Sequence, residues 1–238
     1  MRLLVCDTSN SNCSAGVFED GKEVCYELSF ETLTHSETFM PLVHRIMKKA
    51  GIKHEDLDGY AVTVGPGSFT GIRIGIAAVK GMALASGKKC IAVSSTEALA
   101  RSCENATMTP KEETLIVPVI DARNNRVFAQ AAEEDTLKPL LPENAYDADD
   151  LVSGIEKIPE IIYGKRRQIL VVGSGAAVMK KAFEKAESKL NIYYAPGAAI
   201  MPKGVALAAF ANGEMIDAID LKASYCAVSQ AERLKKHD

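Results

Sequence analysis

Apolar and polar positions along the chain change rhythm several times. Leu3-Leu4-Val5-Cys6 is a short apolar run, Asp7-Thr8-Ser9-Asn10-Ser11-Asn12 is turn chemistry, and Ser14-Ala15-Gly16-Val17-Phe18-Glu19 reads as a returning strand closed by Asp20-Gly21. Residues 22–30 continue as a third strand, so the chain opens as a meander whose buried first strand ends on Asp7. Over 34–50 the spacing turns helical. Phe39, Leu42, Val43, Ile46, Met47 and Ala50 share a face, Thr34 and Glu37 are spaced as a capping box, and Gly51 is the stop. Tyr60-Ala61-Val62-Thr63-Val64 is the next strand. It runs into Gly65-Pro66-Gly67-Ser68-Phe69-Thr70-Gly71 and a helix over 68–86, and Cys90-Ile91-Ala92-Val93 completes a right-handed parallel crossover. Ser94 and Glu97 have the spacing of a second capping box, opening a helix over 96–101.

Residues 103–113 are polar and aperiodic, which marks a boundary between lobes. The opening pattern then recurs: Thr114 to Ile120 is apolar and ends in Asp121, Ala122-Arg123-Asn124-Asn125 turns, and residues 126–130 return. A loop region rich in Pro, Asp and Glu is expected over 139–160. It is followed by a strand over 168–172, Gly173-Ser174-Gly175 opening a helix to about Leu190, a strand over 191–195 and a helix from Lys203 to about Ala218. The chain starts one fold twice, a weak repeat carried by topology more than by identity.

Composition narrows the function. Among 238 residues there are 28 Lys and Arg against 31 Asp and Glu, a net charge of −3, with 47% hydrophobic residues, no Trp and 6% aromatics. A core of normal size is available, and disorder is excluded. An acidic excess without aromatic platforms argues against a chain that holds nucleic acid unaided. The cysteines at 6, 13, 25, 90, 103 and 226 are scattered, with neither a Cys-x-x-Cys pair nor a His in ligand spacing, as expected of reduced thiols. The N-terminal run meets Asp7 before a signal-peptide core could form, and no apolar run reaches the ~18 residues of a membrane helix, so a cytoplasmic location is expected.

The densest chemical signal is Gly65-Pro66-Gly67-Ser68-Phe69-Thr70-Gly71-Ile72-Arg73-Ile74-Gly75. A glycine turn from strand to helix can present backbone N–H groups to an anion, but this one is neither a Walker loop nor a Rossmann fingerprint. The better supported reading is structural. Gly67, Gly71 and Gly75 recur every four residues, so they clear one helix face, and Ile72, Ile74, Ile76 and Val79 make the helix apolar on nearly all sides. Such a helix needs cover on nearly all sides, from a second chain or from its own sheet and the 34–50 helix. Asp7 and Asp121 end buried strands, where a carboxylate could bind magnesium beside a nucleotide or simply cap its own turn. His35 fits a surface or turn role, Glu97 a helix cap, and no nucleophile or acid–base set emerges.

Leu4-Val5-Cys6-Asp7-Thr8-Ser9, His35-Ser36-Glu37, the glycine block, Val93-Ser94-Ser95-Thr96-Glu97-Ala98-Leu99-Ala100 and Asp121-Ala122-Arg123 occur in the order of a family the chain resembles, TsaB (YeaZ). The resemblance is dense over 1–130 and thin beyond, apart from Ser229-Gln230-Ala231-Glu232. It implies an α/β chain with the two-lobed actin, hexokinase and Hsp70-type ATPase (ASKHA, ribonuclease H-like) fold. The lobes would be 1–105, completed by the helix over 203–219, and a smaller one over 106–202, followed by a tail over 220–238. It also implies a non-catalytic partner of the transferase TsaD in making threonylcarbamoyladenosine at position 37 of tRNAs reading codons that begin with adenine. In TsaD a His-x-x-x-His metal pair follows the strand matching 90–93; here those positions resemble Ser95 and Leu99, which cannot hold a transition metal.

By the same resemblance, the contact with TsaD uses the helices over 34–50 and 68–86, through His35, Phe39, Leu42, Val43, Ile46, Gly67, Phe69, Thr70, Gly71, Arg73, Gly75 and Val79. A homodimer of the free chain would compete for that patch, the ATPase TsaE would join the pair, and tRNA would be met only through the complex. A bulky charged residue at Gly71 or Gly75 is then expected to abolish pairing and spare the fold. No cofactor is required by the chain, while ATP or ADP at the lobe cleft, near Asp7, Thr8 and Asp121, or at the complex interface stays open. The enzymatic alternatives are an ATP-dependent phosphotransferase of the same fold, disfavoured because residues 8–12 hold no glycine, and a glycoprotease-like peptidase.

Overall fold

The computed structural model of the chain describes residues 1–29, 35–103, 113–162, 164 and 168–226. The first half runs β1 (Arg2–Asp7), β2 (Cys13–Glu19), β3 (Lys22–Ser29), α1 (His35–Ala50), β4 (Gly59–Gly65), α2 (Phe69–Ser86), β5 (Lys89–Ser94) and α3 (Ser95–Ser102). The second half repeats that order with β6 (Thr114–Asp121), β7 (Arg126–Glu133), β8 (Pro139–Asp147), α4 (Ala148–Glu156), the short α5 (Pro159–Ile162), β9 (Gln168–Val172), α6 (Ala176–Lys185), β10 (Asn191–Ala195) and α7 (Pro202–Asn212). A two-residue strand, β11 (Met215–Ile216), follows. The sheets are ordered β5-β4-β1-β2-β3 and β10-β9-β6-β7-β8, the same path in space, with β11 added antiparallel to the β5 edge. In each sheet the first three strands are antiparallel and the next two run parallel to the first.

Strand alternation decides which side each residue serves. Leu4 and Cys6 enter the core beneath α1 and α2, whereas Leu3 and Val5 enter the core between the two sheets. Because β1 is covered on both faces, its sequence is an unbroken apolar run rather than an alternating one. On the far side of the second sheet, Leu151, Ile155, Met179 and Phe183 of α4 and α6 close a third core.

The central core is built by an exchange. α7 follows the second sheet yet packs on β1, β2, β4 and β5 of the first, while α3 follows the first sheet and meets β6 and β7 of the second. The two helices cross at a small-residue contact. A Cβ on Gly204 would collide with Ser102 Oγ and with the Ala98 carbonyl. Ser102 Oγ donates to Ala98 O at 2.6 Å and accepts from Met201 N at 2.9 Å, so the start of α7 is fixed on the end of α3. Glu143 of β8 completes the seam by accepting hydrogen bonds from the Ser94 and Thr96 hydroxyls at the head of α3.

Several expectations change. Residues 139–160 are not a loop: β8 is the edge strand of its sheet, where Pro139 and Pro142 are tolerated. Asp147 then caps α4, accepting from Asp149 N at 3.0 Å, with Ala148, Leu151, Val152 and Ile155 buried at helical spacing. α6 stops at Lys185, before Glu187 takes a left-handed φ of 51°. α7 stops at Asn212, where Gly213 is wedged against Ile91 and the Ala209 carbonyl, and the chain turns into β11 instead of continuing to 218 or 219. Ser94 accepts from Glu97 N at 3.2 Å, but the Glu97 carboxylate turns to Arg101 and Asn212, so only half of that capping box forms. α2, with a mean hydropathy of 1.2 over 18 residues, is long and apolar enough to cross a membrane by length and composition, even though Arg73 and Lys80 interrupt it. Thr34, the boundary at 105–106 and Ser229-Gln230-Ala231-Glu232 lie outside the described residues.

The crossing of α3 and α7 gives a direct test. Gly204→Val should cost about 1–3 kcal/mol of stability through overpacking, read as a lower urea midpoint. Gly197→Ala, where a Cβ meets open space, should leave the midpoint unchanged.

Candidate functional site

The site grows from the turn after β1. Asp7 is wholly buried, and its Oδ1 accepts from Ser9 N at 3.0 Å, Ser9 Oγ at 2.6 Å and Thr63 Oγ1 at 2.6 Å. Oδ2 has no partner among the described residues. Burial pushes the Asp7 carboxyl above the usual value of 3.8, with the bonds from Ser9 and Thr63 opposing the shift. Asp121 makes the same turn in the second lobe, accepting from Arg123 N at 2.7 Å, but it is exposed. Both aspartates thus bond the backbone amide two residues on, as a turn-capping carboxylate does.

The loop that Asp7 shapes is covered by α2. Ser68 caps that helix, accepting from Gly71 N at 3.2 Å, and its own amide donates to Ser9 O at 2.8 Å. Thr8 Oγ1 donates to Gly71 O at 2.8 Å. A Cβ on Gly67 would collide with Ser9 O, one on Gly71 with Thr8 O, and one on Gly75 with Thr8 Oγ1. The glycine face is therefore filled by the chain's own loop, not by another helix. This overturns the expectation that a bulky residue at Gly71 or Gly75 spares the fold.

Two more contacts fasten the loop, in which Thr8 and Ser9 are wholly buried: His35 Nε2 lies 2.8 Å from Asn10 O, and Asn12 Nδ2 donates to Ile200 O at 3.1 Å. In this arrangement Asp7 and Thr8 do not fit a nucleotide phosphate, because α2 occupies the space above the loop and the Thr8 hydroxyl is spent on Gly71.

Most residues expected at a partner interface point inward. Phe39, Leu42, Val43, Ile46 and Val79 are at most 1% exposed and belong to the core under α1 and α2. Phe69, Thr70 and Arg73 are exposed. The outward face holds residues that the strongest hydrophobic positions did not reveal. Between α1 and α2 runs a groove of about 460 Å³ walled by Met40, Ala77, Ala78, Gly81, Met82 and Ala85. Met40 is 44% exposed and Leu84 63%. At one end His54 Nδ1 lies 2.8 Å from the Tyr60 hydroxyl, which lies 3.1 Å from Ser86 Oγ. The signal for this face was in the sequence as Ala77, Gly81 and Ala85, small residues a turn apart and half a turn away from the core stripe.

At the head of α2, Arg73 lies over the Phe69 ring with its guanidinium carbon 3.7 Å from the centroid, and its Nε donates to Tyr225 Oη at 3.1 Å. The rings of Phe69 and Tyr225 are 5.3 Å apart. Ser224 N donates to Val64 O at 2.8 Å, which holds the start of the tail on the end of β4.

Ser95 and Leu99 are wholly buried one turn apart on α3, a hydroxyl and an isobutyl group with no donor set for a metal. Among the described residues no three His, Cys, Asp or Glu side chains gather in metal-binding geometry. All of Cys6, Cys13, Cys25, Cys90, Cys103 and Cys226 are free thiols. Burial pushes Cys13 up to about 12 and Cys90, Cys103 and Cys226 to about 11, which keeps them protonated and unreactive.

Two lobes with one repeated strand path, their last helices exchanged across the seam, define a protein of the actin, hexokinase and Hsp70 ATPase fold class. Comparison with known proteins is more specific. The family model described as "TsaD: tRNA N6-adenosine threonylcarbamoyltransferase" matches residues 32–232. The tRNA threonylcarbamoyladenosine biosynthesis protein TsaB of Bacillus subtilis (strain 168) is 28% identical over 187 residues, 77% of this chain and 76% of that protein. Its counterpart in Escherichia coli (strain K12) is 29% identical over 180 residues, 74% of this chain and 72% of that one. The structure of YeaZ from Pseudomonas aeruginosa shares the fold, with a TM-score of 0.74 and 23% identity over 94% of this chain and 99% of that one. The chain belongs to the TsaB (YeaZ) family.

Two measurements test the loop. Gly71→Ala and Gly75→Ala should each cost about 1–3 kcal/mol, seen as lower urea midpoints. Asp7 gives a pH signature. Well below 3.8 both states are protonated; as pH rises through that value the unfolded chain releases a proton that the folded chain keeps. Stability should therefore fall until the raised Asp7 value is passed and then stay level. Urea midpoints recorded from acid to neutral pH should show the wild type losing ground to Asp7→Asn across this window.

Proposed function

We propose that this chain is the non-catalytic partner of TsaD in forming threonylcarbamoyladenosine at position 37 of tRNAs that read codons beginning with adenine. The single observation that carries the reading is the groove between α1 and α2. It is an exposed apolar surface lined by Ala77, Gly81 and Ala85, where another helix can approach the backbone closely. The names of the relatives support the pathway, and the match to a TsaD model supports a partner of TsaD type. The same groove would seat a second copy when TsaD is absent, so homodimer and heterodimer compete, and TsaE joins the heterodimer. A net charge of −3 leaves the basic surface for tRNA to the partner, and the complex acts in the cytoplasm. The chain needs no nucleotide of its own; any ATP or ADP belongs to the complex interface.

Reconstitution checks the reading: TsaD, TsaE and the threonylcarbamoyl-adenylate synthase should modify tRNA only when this chain is added. Activity without it sinks the proposal. Gly81→Arg is the interface variant to use, since a side chain there meets open space. It should keep the wild-type melting temperature and lose co-purification with TsaD.

A further inference from the structure

The head of α2 carries a cation that the helix itself does not need. Arg73 sits near the N-terminal end, where the helix dipole disfavours positive charge, and no acidic residue lies in the first turn to offset it. Its described contacts are the Phe69 ring below and the Tyr225 hydroxyl at Nε. Both terminal Nη groups, the planar fork that binds a carboxylate through two parallel hydrogen bonds, donate to no described residue. Phe69 and Tyr225 are 43% and 48% exposed, so the fork is held on an aromatic platform that faces outward. The next cation along the helix, Lys80, is committed to Ile219 O at 3.1 Å.

We infer that Arg73 is the charge-recognition residue of the docking face, and that it takes a carboxylate of a TsaD-type partner through its Nη fork. Tyr225 is the positioning residue that holds the fork in place. The inference rests on the reading of the α1–α2 groove as the partner surface and specifies what the partner must bring to its upper end. A protein carboxylate fits better than a phosphate chain. Ala77 and Gly81 continue the same exposed stripe one and two turns further on, giving an Arg and two aromatics beside an apolar seam, the composition of a protein–protein hot spot. A nucleic acid would need several neighbouring cations, and Lys80 is already engaged.

The test is calorimetric titration of the TsaD encoded in the same genome into wild-type chain, Arg73→Glu, Arg73→Lys and Tyr225→Phe, at low and high salt. Arg73→Glu should weaken pairing about 100-fold, and Arg73→Lys, which keeps the charge and loses the fork, about tenfold. Tyr225→Phe keeps the ring and removes the hydroxyl; it should weaken pairing about threefold, with melting temperatures unchanged throughout. Salt should weaken pairing of the wild type and relieve the new repulsion in Arg73→Glu, and reversing one carboxylate of TsaD to Arg should restore binding to that variant alone.

Arg73→Glu binding like the wild type while Gly81→Arg does not bind would overturn this inference and leave the function standing. No binding by the wild type would remove both. Loss of self-association by Arg73→Glu with TsaD pairing intact would assign the fork to a second copy. If truncation after Cys226 abolished the Arg73→Glu effect, the carboxylate would be the chain's own; either outcome overturns the proposal.

Discussion

One backbone-to-backbone contact organises this molecule: the first turns of α2 lie directly on the Thr8–Ser9 loop. Glycine at 67, 71 and 75 is what allows it, because each Cβ would overlap an oxygen of that loop. The Thr8 hydroxyl and the Ser9 carbonyl then bond the helix at 2.8 Å each. A loop held so closely cannot also be open to solvent. Asp7, which shapes it from below, is therefore sealed in the seam, and its raised pKa is the electrostatic cost of that closure. The repeat shows the contrast. The second lobe forms the same turn with Asp121, but α6 buries Met179, Ala182 and Phe183 against its sheet, and Asp121 stays in water.

Much of this was legible in the sequence for a physical reason. The strand, aspartate and asparagine-turn pattern names the start of each lobe, since a carboxylate at a strand end must bond the turn that follows. The sheet order repeats in full because the repeat lies in element order, which survives divergence of side chains. Over 139–160 an acidic and proline-rich composition obscures the buried spacing of Leu151, Val152 and Ile155 and an edge strand that accommodates two prolines. A helix running past 212 is suggested by the apolar residues that resume at Met215, Ile216 and Ile219, whereas the wedge of Gly213 against Ile91 is a tertiary fact.

The candidate site was legible as a region and not as a list. Helical spacing locates the strongest apolar stripe, and on a helix packed against a sheet that stripe belongs to the chain's own core, as Phe39, Leu42, Ile46 and Val79 do. The stripe left open to a neighbour is the opposite one, which on α2 consists of Ala77, Gly81 and Ala85. Small residues carry little hydrophobic signal; what they offer is approach distance. The glycine block misled for a related reason. A cleared helix face implies a close neighbour, but spacing alone does not say whether the neighbour is another helix or a loop some 60 residues away in the same chain.

The two faces of α2 also explain its hydropathy. A surface helix normally turns polar away from its sheet, yet this one is apolar enough on the far side to pass a compositional test for membrane spanning with only a third of its length buried. Exposed alanine and glycine cost an isolated chain less than exposed leucine would, because they present less area to water. They can nevertheless bury backbone and Cβ surface when another helix settles between α1 and α2. Affinity from such a seam is modest and unselective, since any helix with small residues of its own could enter. Selectivity would then come from polar groups beside the seam, among them His54, Glu55 and Ser86 at one end and Arg73 beyond the other, at the head of α2. A helix whose core face is fixed by glycine and whose outer face is smoothed by alanine leaves its charged head as the position where one partner can be told from another.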